Sequence, residues 1–272
     1  MRATFIGGGN MATALIGGLV GKGARASGFH IVEPSQSQRD RLRARFAQVH
    51  VHDVVAADAL NVDVVVMAVK PQHMREAASA LAPHRAALPV VLTIAAGIRV
   101  DDLARWLGGH RRIVRAMPNT PALIGRGISG VYADAAVDEP ARTIATQVLE
   151  AAGEVVWLDR EQALDVVTGV SGSGPAYVFY LVEALEQAAV DQGLPRELAR
   201  RLAYATFAGA TALAQGSTEE PSVLRANVTS KGGTTERGLA VLDARAVAHA
   251  MRDAVAAATA RAREMGDAFG DS

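Results

Sequence analysis

Short aliphatic runs alternate with longer segments of helical periodicity up to about residue 160. The run V-V-V-M-A-V is apolar on both faces, as a buried parallel strand must be. This pattern predicts strands at residues 3–6, 30–33, 49–52, 63–69, 90–95, 112–117, 130–132 and 155–158. Helices are predicted between them, at residues 11–20, 37–46, 73–81 and 100–107. Alternating strands and helices are typical of a doubly wound α/β domain.

After residue 158 the pattern predicts helices only. Asp159 and Gln162 have the spacing of a capping box and predict a helix through Val167. Further helices are predicted at 175–192, 197–215 and 245–265, with another beginning near Thr234 or Thr235. The segment 176–190 is apolar nearly all round, which indicates burial on every side. Because so few residues cannot easily bury it alone, we expect this half to pack against a second copy of itself.

Composition and charge exclude several classes of protein. The chain has 28 Lys+Arg and 28 Asp+Glu and no basic run, which argues against a nucleic-acid partner. Without cysteine it has no disulfide scaffold, thiolate nucleophile or cysteine-based metal site, and we predict no metal. The sequence runs from Met1 straight into an apolar strand, and its longest aliphatic run is too short to span a bilayer. We therefore expect a cytoplasmic protein with no membrane partner.

A glycine-rich turn follows the first predicted strand. In F-I-G-G-G-N-M-A, Gly7, Gly9 and Ala12 have the G-x-G-x-x-A spacing. Gly7 permits a tight turn, Gly9 lets the backbone approach a pyrophosphate, and Ala12 lets the helix pack closely on the strand. The N-terminus of that helix is suited to hold the phosphates. Because the turn joins a strand to a helix at the start of a βα series, it predicts dinucleotide binding.

The end of the second predicted strand carries residues that bear on the choice of nucleotide. Glu33 lies about 20 residues beyond the glycine motif, where a carboxylate holds a ribose diol and favours NAD. Ser35, Gln36 and Arg39 follow at once and are suited to a 2′-phosphate, which favours NADP. The residues leave both cofactors, NADP and NAD, open.

Three motifs end later strands. A-V-K-P-Q ends the fourth, Ala95, Ala96 and Gly97 end the fifth, and R-A-M-P-N-T-P-A ends the sixth. In open parallel sheets, ligands bind at the carboxyl ends of the strands. The three motifs together therefore predict a continuous rim on the cofactor side, although Lys70 alone is equally compatible with an exposed cation.

The stretch V-T-S-K-G-G-T-T-E-R-G interrupts the helical half. Its two glycines release the backbone just before a helix, which presents unpaired N–H groups and the positive end of a helix dipole. Hydroxyls at Thr229, Ser230, Thr234 and Thr235 add donors. This stretch therefore predicts a pocket for a carboxylate or phosphate. The earlier stretch S-G-S-G-P-A-Y, residues 171–177, is expected to be a flexible turn that leads into the next helix.

Taken together, the motifs resemble those of pyrroline-5-carboxylate reductase, the last enzyme of proline biosynthesis. F-I-G-G-G-N-M-A, A-V-K-P-Q, R-A-M-P-N-T-P-A, S-G-S-G-P-A-Y-V-F and V-T-S-K-G-G-T-T occur in the family's order and spacing over residues 3–265. The resemblance implies a doubly wound Rossmann domain at residues 1–159 and an all-α dimerisation and substrate-binding domain at 160–272. It further implies an interleaved homodimer, with dimers that often assemble into a higher oligomer.

The resemblance also implies a reaction and the residues that perform it. NAD(P)H reduces the ring imine of L-1-pyrroline-5-carboxylate, a small cyclic imine carboxylate, to L-proline. The implied cofactor contacts are Ile6, Gly7, Gly8, Gly9, Asn10, Met11, Ala68, Val69, Lys70, Pro71, Ala95, Ala96, Gly97 and, on the nicotinamide side, Asn119. The implied substrate contacts are Ser230, Gly232, Gly233, Thr234 and Thr235. Thr235 matches the catalytic position whose hydroxyl bonds the imine nitrogen, and Lys231 replaces a common family proline.

Two other functions fit parts of the sequence. A β-hydroxyacid-type dehydrogenase usually brings a catalytic lysine from an interior helix position, but the predicted helices 175–192 and 197–215 contain no lysine. A non-catalytic nucleotide-binding protein would also carry a Rossmann domain, because fold does not fix function. That hypothesis gives no reason for the anion pocket.

Overall fold

The chain forms one sheet flanked by helices, followed by a run of helices. The structure, a computed structural model, describes residues 1–56 and 58–270. The strands are β1 (Ala3–Ile6), β2 (Phe29–Val32), β3 (His50–His52), β4 (Val64–Met67), β5 (Val90–Thr93), β6 (Ile113–Met117), β7 (Gly127–Ala133) and β8 (Gly153–Trp157). The helices are α1 (Asn10–Gly21), α2 (Gln36–Arg45), α3 (Met74–Leu81), α4 (Val100–Trp106), α5 (Glu139–Glu150), α6 (Ala163–Val167), α7 (Gly174–Asp191), α8 (Arg196–Gln215), α9 (Pro221–Asn227), α10 (Thr234–Ala244) and α11 (Val247–Gly270).

The sheet has the strand order β3-β2-β1-β4-β5-β6-β7-β8. Neighbouring strands are parallel except β6 and β7, which are antiparallel. The order reverses between β1 and β4, so the crossovers on the two sides of this point run in opposite directions. Such a switch point opens a crevice at the carboxyl ends of the strands. The predicted doubly wound Rossmann fold is therefore confirmed.

Apolar side chains cover both faces of the sheet, as the uninterrupted aliphatic runs predicted. Phe5 packs with Leu15 of α1 and Leu149 of α5 on one face. Its neighbour in the strand, Ile6, packs on the other face with Leu81 of α3. Full burial of one such side chain contributes about 1.5–3 kcal/mol, so these two clusters hold the strand ends in a fixed arrangement.

All eight predicted strands are present, and the exceptions concern local structure. The capping-box prediction was wrong, because α6 begins at Ala163 and no side chain caps it. The prediction of a flexible turn at S-G-S-G was also wrong: Thr168–Gly172 is a π-helix that continues α6 towards α7. Helix α5 was not foreseen, although Asp138 caps it by accepting a bond from the Ala141 amide.

The chain divides into two compact units. The first consists of Met1–Ser173 together with the end of the chain from Ala256, and the second is Gly174–Val255. Helix α11 therefore begins in the second unit and ends in the first. The domain boundary between residues 159 and 160 stays a prediction, and residues 271 and 272 of the predicted second domain lie outside the described residues.

The second unit is held by a hairpin of α7 and α8. Glu186 of α7 is 7% exposed and accepts bonds from Arg196 and Arg200 of α8. The bonds from Arg200, followed by those from Arg196, lower the pKa of this carboxyl. In the single chain, however, Phe179 and Tyr180 of α7 stay 63% and 72% exposed. The all-round burial predicted for this helix is thus not achieved within one chain.

Gly153 allows a test of the close pairing between β7 and the edge strand β8. It lies opposite Gly127 in the pairing of β7 with β8, and a Cβ there would lie 1.9 Å from the Gly127 oxygen. We expect Gly153→Ala to lower the free energy of unfolding by about 3 kcal/mol or more, from overpacking and positive-φ strain together. Urea titration at matched protein concentration measures this.

Gly17→Ala is the matched control. Gly17 lies inside α1 and a Cβ there would meet nothing within 4 Å, so alanine should raise stability by up to about 1 kcal/mol. Equal urea midpoints for the two variants would contradict the close pairing of β7 and β8.

Candidate functional site

The turn after β1 passes very close to the end of β4. Gly7 has a φ of 97°, which favours glycine, and a Cβ there would lie 2.9 Å from the Ala68 oxygen. The Gly7 amide donates to the Val32 oxygen and the Ala68 amide donates to the Ile6 oxygen, each at 2.8 Å. The structure thus brings the G-G-G-N and A-V-K-P-Q motifs together at the switch point.

The N-terminus of α1 is open towards a ligand. Gly9 is the N-cap, no side chain caps the helix, and no acidic residue lies in its first turn. The first amides of a helix have no intrahelical partner, so those of Asn10, Met11 and Ala12 are donors for an anion. A Cβ at Gly9 would meet nothing within 4 Å, which shows space where a pyrophosphate would approach. The residues fit a dinucleotide.

Glu33 supports the glycine turn with its carboxylate. One oxygen accepts from the Gly8 amide and the other from the Ser35 amide, both at 3.0 Å. Gln38 of α2 closes the same corner by donating to the Gly8 oxygen at 2.8 Å. Both Glu33 oxygens therefore already have a backbone donor, although a carboxylate keeps further lone pairs for a ligand.

Ser35 and Arg39 meet at the N-terminus of α2. Ser35 caps the helix and its hydroxyl lies 3.2 Å from that of Ser37. Arg39 donates to the backbone oxygens of Glu33 and Pro34 at 2.9 and 2.7 Å, and also to the side chain of Gln36. A guanidinium has five N–H donors, so Arg39 is held in place with donors left over for an anion.

The rim predicted at the later strands divides into exposed and buried positions. Ala68, Val69 and Pro71 are half-buried while Lys70 is exposed, as expected for a free cation. Ala96 is half-buried, whereas Ala95 and Gly97 are buried beneath it. Only part of each motif can therefore touch a ligand directly.

Asn119 ties two motifs together. Its amide nitrogen donates to the Ser171 oxygen at 3.1 Å, and its amide oxygen accepts from the Ile128 amide at 3.0 Å. The residue four positions after Ser171 is Pro175, which has no amide hydrogen to close an α-helical bond. Asn119 supplies the missing donor, so the structure shows it bracing the end of β6 against the π-helix.

The loop at residues 228–233 lies in the second unit and ends at α10. Gly233 is the N-cap of α10 and makes no side-chain capping bond, which leaves the amides of Thr234, Thr235 and Glu236 free of intrahelical partners. Thr234 and Thr235 are exposed, and no group in the described part of the chain bonds their hydroxyls. The arrangement suits a carboxylate.

Three other groups shape this loop. The Thr229 hydroxyl does not face a ligand, because it donates to the Arg225 oxygen at 2.6 Å. Ser230 and Lys231 are exposed. Glu236, missed in the sequence, accepts from the Gly232 amide at 2.7 Å and fixes the glycine turn. Its place three residues after the N-cap is that of the acidic residue of a capping box, which was the available signal.

Metal and membrane sites are not part of the described structure. Among residues 1–56 and 58–270, no three His, Asp or Glu side chains are grouped to hold a metal ion. No helix in the same residues is both long enough and apolar enough to cross a bilayer.

Comparison with known proteins gives a consistent family. A family model described as pyrroline-5-carboxylate reductase dimerisation matches residues 161–265. A second, described as NADP oxidoreductase coenzyme F420-dependent, matches residues 2–97. The pyrroline-5-carboxylate reductase of Pseudomonas aeruginosa is 43% identical, over 99% of this chain and 98% of its own.

Solved structures agree with these matches. A pyrroline-5-carboxylate reductase from Coxiella burnetii has a TM-score of 0.91 at 36% identity, covering 97% of this chain and 98% of its own. Pyrroline carboxylate reductase from Plasmodium falciparum, in a structure with NADP bound, has a TM-score of 0.86 at 26% identity over 98% of each chain. The chain belongs to the pyrroline-5-carboxylate reductase family.

Proposed function

We propose that this protein reduces L-1-pyrroline-5-carboxylate to L-proline with NADPH or NADH, the last step of proline biosynthesis. The single observation that carries the proposal is the pairing of a dinucleotide cradle with a hydroxyl-lined anion loop in one chain of this family. A non-catalytic nucleotide-binding protein has no use for the second feature. The protein would work in the cytoplasm.

The first unit is proposed to bind and orient the cofactor. Gly7, Gly8 and Gly9 carry the turn, and the amides at the start of α1 hold the pyrophosphate. Ile6, Asn10, Met11 and the residues 68–71 and 95–97 border it at the carboxyl ends of the strands. When bound, the nicotinamide supplies the hydride that the imine carbon accepts. Asn119 holds the π-helix with one N–H and accepts from Ile128 at its amide oxygen, which leaves a second N–H for the cofactor.

The loop of the second unit is proposed to bind the substrate carboxylate. Ser230, Thr234 and the backbone at Gly232 and Gly233 surround the position where the α10 amides point. Thr235 hydrogen-bonds the imine nitrogen through a hydroxyl that has no protein partner among the described residues. A protonated imine accepts hydride far better than a neutral one. The carboxyl group at this loop, Glu236, is bonded to the Gly232 amide, and residues 228–233 include no histidine. Binding of already protonated substrate is the simplest account.

The proposed cofactor preference is NADPH. Arg39 and Ser35 offer a cation and a hydroxyl at the start of α2, where a 2′-phosphate would be held. Glu33, the residue expected to favour NADH, uses one lone pair of each oxygen on a backbone amide, which leaves fewer for a ribose diol.

The assembly proposed is a homodimer formed through the helices. Residues 161–265 match the family's dimerisation region, and the exposed Phe179 and Tyr180 provide apolar surface for a second copy. We further propose that these dimers associate into a larger oligomer. The mass in solution, compared with 28.4 kDa for one chain, tests both parts.

Thr235 provides the direct test of the reaction. We expect Thr235→Ala to lower kcat/KM for pyrroline-5-carboxylate about tenfold, since one hydrogen bond contributes up to about 1.5 kcal/mol. Oxidation of NADPH and NADH measured at 340 nm, as substrate is added, gives the rates. Thr235→Ser keeps the hydroxyl and should retain most activity. A wild type that binds a cofactor but oxidises none in the presence of substrate would refute the reductase proposal.

Arg39 tests the cofactor preference. Arg39→Ala should raise KM for NADPH by about tenfold or more while leaving KM for NADH nearly unchanged, because a charge-assisted bond contributes about 1.5–3 kcal/mol. Arg43→Ala, on the same helix and bonded to the Val51 oxygen, is the matched control. A parallel loss with both cofactors would show that Arg39 only supports the backbone.

A further inference from the structure

The last turns of α11 pack directly on the loop that follows β5. A Cβ at Gly97 would lie 3.1 Å from the Met265 Cβ and 3.3 Å from the Phe269 ring. Gly97 has a φ of 74°, a conformation that side chains other than glycine rarely adopt. The loop at residues 95–97 therefore packs directly against Met265 and Phe269 of α11.

A second contact lies two residues further along the chain, at Arg99, the N-cap of α4. Arg99 donates to the Asp267 carboxylate at 2.6 Å and to the Arg263 oxygen at 3.4 Å. Gly266 lies directly against the guanidinium, since a Cβ there would be 2.9 Å from its Nε. The absence of a side chain at 266 thus allows Arg99 to lie along the helix.

A third contact fixes the end of α11 to α4. Arg105 donates to the Gly270 oxygen at 2.7 Å and to Asp102 at 2.9 Å. Gly270 also lies against that carboxylate, because a Cβ there would be 2.9 Å from it. All three contacts lie within the first unit. Along the chain they follow one another from the loop, at Gly97, through Arg99 to Arg105 within α4.

We propose that residues 263–270 of α11 position the 95–97 loop for cofactor binding, with Phe269 and Arg99 as positioning residues. The inference rests on the proposed function, in which this loop borders the nicotinamide cofactor. Residues 95–97 consist of two alanines and a glycine and have no long side chain of their own to hold them. A loop that leaves its binding conformation part of the time weakens affinity in proportion to that time.

The role of α11 is distinct from support of the core. Phe269 is half-buried at the border of the apolar cluster under α3 and α4, so its loss leaves that cluster's fully buried members in place. The substrate loop at 228–233 belongs to the other unit. A positioning role at 95–97 should therefore change cofactor affinity without changing KM for the imine.

Phe269→Ala tests the contact between α11 and the loop at residues 95–97. Fluorescence titration with NADPH in the absence of substrate should show Kd raised about fivefold, as expected if the competent loop population falls to about one fifth. KM for NADPH should rise equally, while KM for pyrroline-5-carboxylate and the urea midpoint stay close to wild type. Phe269→Leu keeps an apolar contact and should restore Kd to within about twofold.

Asp267→Asn tests the second contact against a matched control on the same helix. Asp267 is 67% exposed and pairs with Arg99, whereas Glu264 is 62% exposed and pairs with Arg261 at 2.8 Å, away from the loop. An exposed ion pair holds its partners only weakly, so Asp267→Asn should raise Kd for NADPH about two- to threefold. Glu264→Gln should leave it unchanged.

The outcomes separate this inference from the proposed function. Wild-type Kd in Phe269→Ala and Asp267→Asn would overturn the positioning role while leaving the reductase proposal intact. A fall in the urea midpoint together with a rise in KM for both substrates would also overturn it, because that result means general loosening. A wild type that binds neither NADPH nor NADH would overturn both proposals.

Discussion

The close approach of the β1 turn to the end of β4 is the constraint on which the rest of the molecule depends. Gly7 lies against the Ala68 carbonyl, so the two strands end side by side at the point where the strand order reverses. Any side chain at Gly7 would displace this turn from the Ala68 carbonyl, at the crevice that the switch point opens. Burial on both faces of the sheet holds this arrangement, because every strand next to the crevice is fixed by two apolar clusters.

The position of the strands was predictable from sequence because aliphatic runs leave a parallel strand no exposed face. The same argument predicted where the motifs lie. The end of each aliphatic run marks the carboxyl end of a strand, and the motifs follow directly after those ends. Direction was not predictable in this way: β7 is antiparallel to β6 because the short Thr120–Ile124 turn reverses the chain. The π-helix was missed because glycines and serines in S-G-S-G are typical of turns, and only the contact with Asn119 distinguishes the two.

The candidate site was predicted as a set of motifs, but their internal bonds were not. Glu33 was expected to face a ribose, yet its oxygens hold the glycine turn and the start of α2. Asn119 was expected on the nicotinamide side, which stays a prediction, and the structure adds that it donates to the Ser171 oxygen, for which Pro175 has no amide hydrogen. In both cases a polar side chain bonds backbone groups that the fold leaves unpaired. Which backbone groups stay unpaired is decided only when the strands and helices pack together, so the sequence does not reveal it. A sequence motif therefore indicates which segments meet without revealing how their polar atoms are bonded.

The same reasoning explains why backbone-rich sites need support from a distance. The proposed cradle consists largely of glycine, alanine and backbone amides, which bring a ligand close, but its glycines lose more conformational freedom on ordering than other residues do. The order must come from neighbouring elements: Glu33 and Gln38 supply it for Gly8, Glu236 for Gly232, and the end of α11 for Gly97. Each supporting side chain lies outside the glycine turn that it holds. Helix α11 differs from the other supports because its residues come from the end of the chain, far in sequence from the loop that they contact.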